Sequence, residues 1–175
     1  MISIKEITDQ QLLELDLIVS NANPPDESHS QYIALAPGIS RNVSPKFDSN
    51  YLTLTPLGLL NNPSLLNWLE NFTGIKSAFI KNIHLNHMIE GAYFLPHVDN
   101  RHIDVNYTCT FLLQEAEEGG SFIFGGAKKD YNRNSVVMFD GGKIAHGVTK
   151  VKKGLRRSLI VFYFKPESED IKTFI

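Results

Sequence analysis

The chain has little cysteine, little net charge and no long apolar run, and each shortage excludes something. A single cysteine, Cys109, cannot form an intramolecular disulfide, so the expected compartment is a reducing one, the cytoplasm. Lys and Arg total 17 against 19 Asp and Glu, a formal net charge of −2. That balance gives no field suited to holding a phosphate backbone, and nucleic acid is not an expected partner. No stretch approaches the roughly 18 apolar residues of a membrane span. Lys5, Glu6, Asp9 and Glu14 occupy the N-terminus where an export signal would need a basic start and an apolar block. Neither export nor a membrane partner is expected. No Gly-x-Ser-x-Gly elbow and no phosphate-cradling glycine loop is present, which removes the common hydrolase and NTPase signatures. A βαβ rhythm is missing too, and with it the doubly wound nucleotide fold. There is no internal repeat, heptad pattern or low-complexity tract.

What is present fits one domain. At 175 residues and 42% hydrophobic content the chain is large enough to bury a core without disulfide or metal staples. Thr8 followed by Gln11 reads as a capping box ahead of the apolar run Leu12, Leu13, Leu15, Leu17, Ile18 and Val19. A second helix is predicted from Asn62-Pro63, with Asn as cap and Pro in the first turn, through Leu65, Leu66, Trp68 and Leu69 to Gly74. Residues 21–58 read as loop, rich in Pro, Ser and Asn, apart from a short strand candidate at Tyr51–Leu54. A loop of that length in a compact domain is usually functional.

From Ala78 the texture changes to strands. Segments at Ile83–Ile89, Tyr93–Asp99, Val105–Leu113, Ser121–Phe124, Ser135–Phe139, Ile144–Val148 and Arg156–Phe164 are rich in β-branched and aromatic residues. Gly119-Gly120, Gly125-Gly126 and Gly141-Gly142 punctuate them as turns. The expected architecture is mainly β with flanking N-terminal helices, a rolled, double-sheeted jelly roll of the cupin kind. Residues 1–77 would support it and 78–164 would form its β core, all within a single domain 1–175.

The chemistry centres on His97 and Asp99, two residues apart in an extended, apolar context, hence on one face of a strand. Two such donors lack a third, and His146 is the best placed candidate. A 2-His-1-carboxylate face with open positions is typical of non-haem Fe(II) oxygenases. Each piece alone is weak, because a His-x-Asp triplet arises often by chance and a lone histidine is more often packed or solvated. Their order carries the argument: His-x-Asp, then Gly-Gly, then Phe139-Asp140-Gly141-Gly142 leading to His146, then Arg156. An oxygenase can draw two electrons from 2-oxoglutarate, whose distal carboxylate needs a fixed cation, and arginine suits that bidentate contact. Arg156 and Ser158 share one face of the last strand, while Arg157 has the opposite parity. Lys150, Lys152 and Lys153 read as a solvated basic hairpin, Glu115, Glu117 and Glu118 as a solvated tip. His102 falls in the loop bordering the substrate entrance, and His29 in the Pro/Ser-rich segment.

Residues 83–164 resemble the prolyl-4-hydroxylase-type Fe(II)/2-oxoglutarate dioxygenases. The resemblance rests on Gly91-Ala92-Tyr93-Phe94-Leu95-Pro96-His97-Val98-Asp99, Thr108-Cys109-Thr110-Phe111-Leu112-Leu113, Glu118-Gly119-Gly120-Ser121-Phe122, Val136-Val137-Met138-Phe139 and the run from His146 to Arg156. It implies a double-stranded β-helix, with His97, Asp99 and His146 as iron ligands and Arg156 as the 2-oxoglutarate anchor ten residues after the distal histidine. It also implies Fe(II), 2-oxoglutarate and O2 as cofactor and co-substrates, ascorbate as a possible stimulant, and hydroxylation of a prolyl residue in a peptide, or of a free amino acid. Retention of the Asp99 carboxylate favours hydroxylation over halogenation, and Phe162 stands where a nucleic-acid demethylase would carry a second arginine. Two departures stand out. The tyrosine that precedes the approach-strand glycine falls on Met88 or His87, of which only His87 could donate to the co-substrate. A second tyrosine, on the third strand, is replaced by Phe111 or Leu112, with Thr108 or Thr110 as substitute hydroxyls, and Tyr93 is a further pocket candidate. The competing reading is a non-catalytic, cupin-like metal-binding or sensing module; a structural metal, however, has no use for Arg156.

Overall fold

A computed structural model describes residues 2–22, 32–35, 51–54, 57–99, 105–129 and 131–164. His29, His102, most of the 21–58 segment and most of the loop at 100–106 lie outside the described residues. In chain order the elements are β1 (Ile2–Glu6), α1 (Asp9–Ala22), β2 (Tyr32–Leu35), β3 (Tyr51–Leu54), α2 (Leu57–Leu60), α3 (Pro63–Thr73), a 3-10 turn (Ser77–Phe79) and β4 (Ile80–Met88). They continue with β5 (Phe94–His97), β6 (Val105–Gln114), β7 (Glu118–Gly119), β8 (Phe122–Phe124), β9 (Ala127–Lys129), β10 (Ser135–Phe139), β11 (His146–Val148), β12 (Val151–Lys153) and β13 (Arg156–Phe164).

Both long helices start where their side chains close the first turn. The Thr8 hydroxyl accepts from Gln11 N–H at 3.2 Å while Gln11 Oε1 accepts from Thr8 N–H at 3.0 Å, a reciprocal capping box. Asn62 Oδ1 accepts from Leu65 N–H at 2.9 Å, Pro63 occupies the first turn, and Gly74 ends α3 in the left-handed region at φ 74°.

The strands form a seven-stranded sheet ordered β1-β10-β6-β13-β4-β3-β2, a four-stranded sheet ordered β5-β11-β8-β9, and a two-stranded ribbon of β12 and β7. Strand β13 is the spine, antiparallel to β4 on one side and β6 on the other. Alternation then divides the large sheet into two faces. Outward, Ile83, Leu85, Cys109, Phe111, Leu113, Leu159, Val161 and Tyr163 pack under α1 and α3 in one continuous core with Leu12, Leu15, Val19, Leu65, Trp68, Leu69 and Phe72. Trp68 stacks on Phe72 at 5.1 Å between ring centroids, and both meet Phe111 edge-on at 5.9 and 5.6 Å. Burial of an aromatic ring on this scale contributes about 1.5–3 kcal/mol. Inward, Met88, Val137 and Phe139 pack with Phe94, Phe122, Phe124 and Val148 of the small sheet. The result is a double-stranded β-helix with helices on one flank, the architecture expected.

Two local expectations change. Gly125-Gly126 forms a two-residue hairpin turn with both φ values positive, 56° and 82°. Gly119-Gly120 is no turn of that kind: Gly119 pairs with Val151 and Gly120 N–H donates to Lys150 O at 3.1 Å. The room for left-handed backbone is needed there because a Cβ on Gly119 would lie 2.1 Å from the Lys150 carbonyl oxygen. Strand β1 was not expected, and it extends the large sheet by pairing with β10.

Candidate metal centre

The last residue of β5 is His97 and the first of β11 is His146, and antiparallel pairing makes them direct Cα partners. Imidazoles far apart in the chain therefore meet at one end of two paired strands of the small sheet, their ring centroids 4.6 Å apart. Asp99 follows β5, where its N–H donates to Gly141 O at 2.8 Å and turns the chain back toward the pair. Its Oδ1 lies 3.8 Å from His97 Nε2 and 3.6 Å from His146 Nε2. The ligand atoms of all three lie within 4.8 Å of one another, and donors at about 2.1 Å from one divalent ion lie roughly 3 Å apart, so the three need to close inward to share a metal.

Each donor is oriented by a second contact. Nδ1 of His97 is 2.9 Å from Leu95 O, and Nδ1 of His146 is 2.9 Å from Ile144 O. A carbonyl oxygen only accepts, so both Nδ1 atoms carry the proton and both Nε2 lone pairs face the centre in the neutral rings. Asp99 Oδ2 accepts from the Thr108 hydroxyl at 2.7 Å, which leaves Oδ1 as the oxygen turned to the imidazoles. Burial pushes the Asp99 pKa up, yet hydrogen bonding and charge from His146, the Thr108 hydroxyl and His97 outweigh it and hold it below the ordinary value. The group is a carboxylate. A Cβ on Gly141 would come within 2.2 Å of Thr108 Oγ1 and 2.3 Å of Asp99 Oδ2, so the backbone cradles this hydrogen bond too closely for any side chain. Phe139 closes the wall edge-on against His146 at 4.6 Å.

Arg156 opens β13 and is buried, 4% exposed. Its Nε donates to Gly120 O at 3.0 Å and its Nη1 to Ser158 Oγ at 2.9 Å, while Met88 Sδ lies 3.9 Å from Nη1. The guanidinium lines a recess inside the barrel together with Thr110, Leu112, Phe122, Tyr131 and Val137. A buried cation with its stem fixed in an otherwise mostly apolar recess suits the carboxylate of a small oxoacid. Arg157, of opposite parity, turns outward and donates to both oxygens of Asp16 on α1, at 3.4 and 3.0 Å.

The structure brings His97, Asp99 and His146 together, and Arg156 with Ser158. The other three expected co-substrate residues, Thr108, His87 and Tyr93, are not among those lining the recess. Thr108 is committed to Asp99 rather than to the recess. Met88, the register partner of Arg156, takes the inward place, whereas His87 pairs with Arg157 and its ring feels the charges of Arg157 and Asp16 on the helical side. Tyr93 precedes β5, so the strand alternation that would align it with His97 does not reach it; Phe94 is the ring near His97, at 5.9 Å. Gly141 and Tyr131 were missed. Nothing local marks either one, because the first acts through backbone closeness and the second reaches the recess from the connection between β9 and β10.

A two-histidine, one-carboxylate cluster at the mouth of a double-stranded β-helix, with a buried arginine inside the barrel, defines a class: a non-haem metal oxygenase scaffold. Residues 83–165 match the 2OG-Fe(II) oxygenase superfamily. That match spans a little under half of the chain, and enzymes of that superfamily use Fe(II), 2-oxoglutarate and O2. Among solved structures it is similar to a prolyl hydroxylase from Trichoplax adhaerens in complex with a hypoxia inducible factor oxygen degradation domain peptide, at 15% identity and a TM-score of 0.65, over 98% of this chain and 86% of that one. An oxidoreductase of the 2OG-Fe(II) oxygenase family from Burkholderia pseudomallei gives 16% identity and 0.59 over 94% and 84%. The viral collagen prolyl hydroxylase of Paramecium Bursaria Chlorella virus-1, in its 2OG complex, gives 14% and 0.54 over 92% and 94%. At these identities the likeness establishes the fold. No curated protein sequence is close enough to count as a match. No helix among the described residues is long and apolar enough to cross a membrane.

Proposed function

We propose that this chain is an Fe(II)- and 2-oxoglutarate-dependent hydroxylase of an unactivated C–H bond, acting on a prolyl residue in a peptide or on a free amino acid. The observation that carries the reading is the convergence of two Nε2 atoms and one carboxylate oxygen, each set by its own second contact. In this reading His97, Asp99 and His146 hold the iron, and Arg156 with Ser158 holds the distal carboxylate of 2-oxoglutarate in the recess. Bound Fe(II), with 2-oxoglutarate and O2, supplies oxidation of the C–H bond with release of succinate and CO2.

The remaining contributions are those of the protein. The carbonyls of Leu95 and Ile144 keep both imidazoles in the Nε2-ligating tautomer, so no proton has to leave when metal arrives. Thr108 and Gly141 hold Asp99 in one rotamer, with a single oxygen offered to the metal. Phe122, Phe124 and Phe139 keep water from that side of the cluster, where charge interactions are correspondingly stronger. Two solved relatives of the same fold are prolyl hydroxylases, which makes prolyl peptides the first substrates to try.

The test is succinate formation from 2-oxoglutarate under air, with Fe(II), across a panel of prolyl peptides and free amino acids. We expect one member of the panel to stimulate succinate release and to gain one oxygen, and His146→Ala to abolish both. Folded, iron-loaded protein that leaves 2-oxoglutarate untouched under every condition would contradict the reading.

A further inference from the structure

The recess that holds Arg156 is also lined by a residue no motif marks, Tyr131. On β6 the inward positions are Thr108, Thr110 and Leu112, in register with Phe162, Ile160 and Ser158 of β13. Thr108 is committed to Asp99, and Leu112, beside Ser158 in the row next to Arg156, has no polar atom to offer. On the facing strand Met88 stands beside Arg156 with a thioether, a weak acceptor and no donor. Met88 and Leu112 thus bring no hydroxyl to an anion held there, while the Ser158 hydroxyl already accepts from Arg156 Nη1 at 2.9 Å and Thr110 lines the recess one step further along β6.

Tyr131 does bring one. It lines the same recess as Arg156, Leu112 and Thr110, and its ring packs edge-on against Phe122 at 5.5 Å. Among the described residues its phenol has no hydrogen-bond partner. Neighbouring Ser135, by contrast, spends its hydroxyl on Asn132 Oδ1 at 2.9 Å. Burial pushes the Tyr131 phenol above its ordinary pKa, so at neutral pH it keeps its proton and acts as a donor. The side chain arrives from the β9–β10 connection, outside the strand positions from which the fold delivers Arg156 and Ser158.

We propose that Tyr131 is a positioning residue for the oxoacid, its phenol O–H donating to the same distal carboxylate that Arg156 holds. This rests on the reading of the recess as the 2-oxoglutarate site. A hydroxyl bonded to a carboxylate inside a mostly apolar recess is a charge-assisted bond, and its loss weakens binding by about ten-fold or somewhat more.

The experiment is an anaerobic titration of the Fe(II)-loaded protein with 2-oxoglutarate, following the visible charge-transfer band of the iron–oxoacid chelate, in wild type and Tyr131→Phe. Pyruvate, which chelates through the same carboxylate and ketone but lacks the distal carboxylate, serves as the comparison ligand. We expect Tyr131→Phe to raise the Kd for 2-oxoglutarate by about ten-fold, to leave the saturated band unchanged, and to leave the Kd for pyruvate and the ligand-free Tm where they were. A wild-type band with superimposable 2-oxoglutarate titrations would overturn the role of Tyr131 and leave the iron site standing. An equal loss for pyruvate would also overturn it, since that marks general damage to the pocket. No band in folded, iron-loaded wild type would remove the co-substrate site itself, and this inference with it.

Discussion

On β6, Cys109, Phe111 and Leu113 point toward the helices while Thr108, Thr110 and Leu112 point into the barrel; on β13, Leu159, Val161 and Tyr163 face the helices while Arg156 and Ser158 face inward. The same strands thus carry two different environments, one side chain apart. The helix-backed face is apolar and closed, and its neighbours α1 and α3 are placed by their caps. The inward face mixes apolar walls with Thr108, Asp99, His146, Arg156 and Ser158, each polar group held by another. A barrel loaded with fixed polar groups pays in core area, and the helical face compensates with Trp68, Phe72 and Phe111 stacked together. The division of labour is stability outward, chemistry inward.

Substitutions on each face test whether the two are separable. The largest effect is expected outward: Phe111→Ala removes a fully buried ring from under α3 and should cost about 3–5 kcal/mol in urea unfolding, while the metal affinity of the protein that remains folded stays near wild type. A parallel collapse of metal binding would show that the faces are one cooperative unit. Inward, Gly141→Ala drives a methyl group into the Thr108–Asp99 hydrogen bond, and should lower Fe(II) affinity by about 10–100-fold. Anaerobic metal titration measures it, and an unchanged affinity would mean that Asp99 is not held by this cradle.

The smallest effect is at the boundary. Burial first, and then the Arg157 guanidinium, hold His87 below its ordinary pKa of 6.5, with Asp16 opposing. The unfolded chain therefore takes up this proton before the folded one does. The stability contributed by neutral His87 is present above 6.5 and is lost as pH falls through the folded-state value. His87→Gln should flatten the loss of stability below 6.5 by a fraction of a kcal/mol, read from urea midpoints on either side of that pH, without altering 2-oxoglutarate binding. A change in that binding would place His87 at the co-substrate after all.

Much of this was legible from local pattern. The capping box at Thr8 and Gln11, the Asn62-Pro63 start, the Gly74 stop and the strands Ser135–Phe139 and Arg156–Phe164 follow from contacts within a few residues or from simple alternation. Strand parity likewise separates Arg156 from Arg157. What sequence pattern left open depends on register between strands distant in the chain. Whether Met88 or His87 faces inward is fixed by pairing with β13, and the partner of Thr108 by where Asp99 and Gly141 meet. Tyr131 carries no signal at all, since it sits in a connection and acquires its place only when the barrel closes.

The central claim is that His97, Asp99 and His146 together hold one iron that then chelates 2-oxoglutarate. The most direct measurement is the visible charge-transfer band on anaerobic addition of Fe(II) and 2-oxoglutarate to the purified protein, compared with Asp99→Ala. The band should form in wild type and be absent in a folded Asp99→Ala variant; no band in folded wild type, or an undiminished band in the variant, would contradict the assignment.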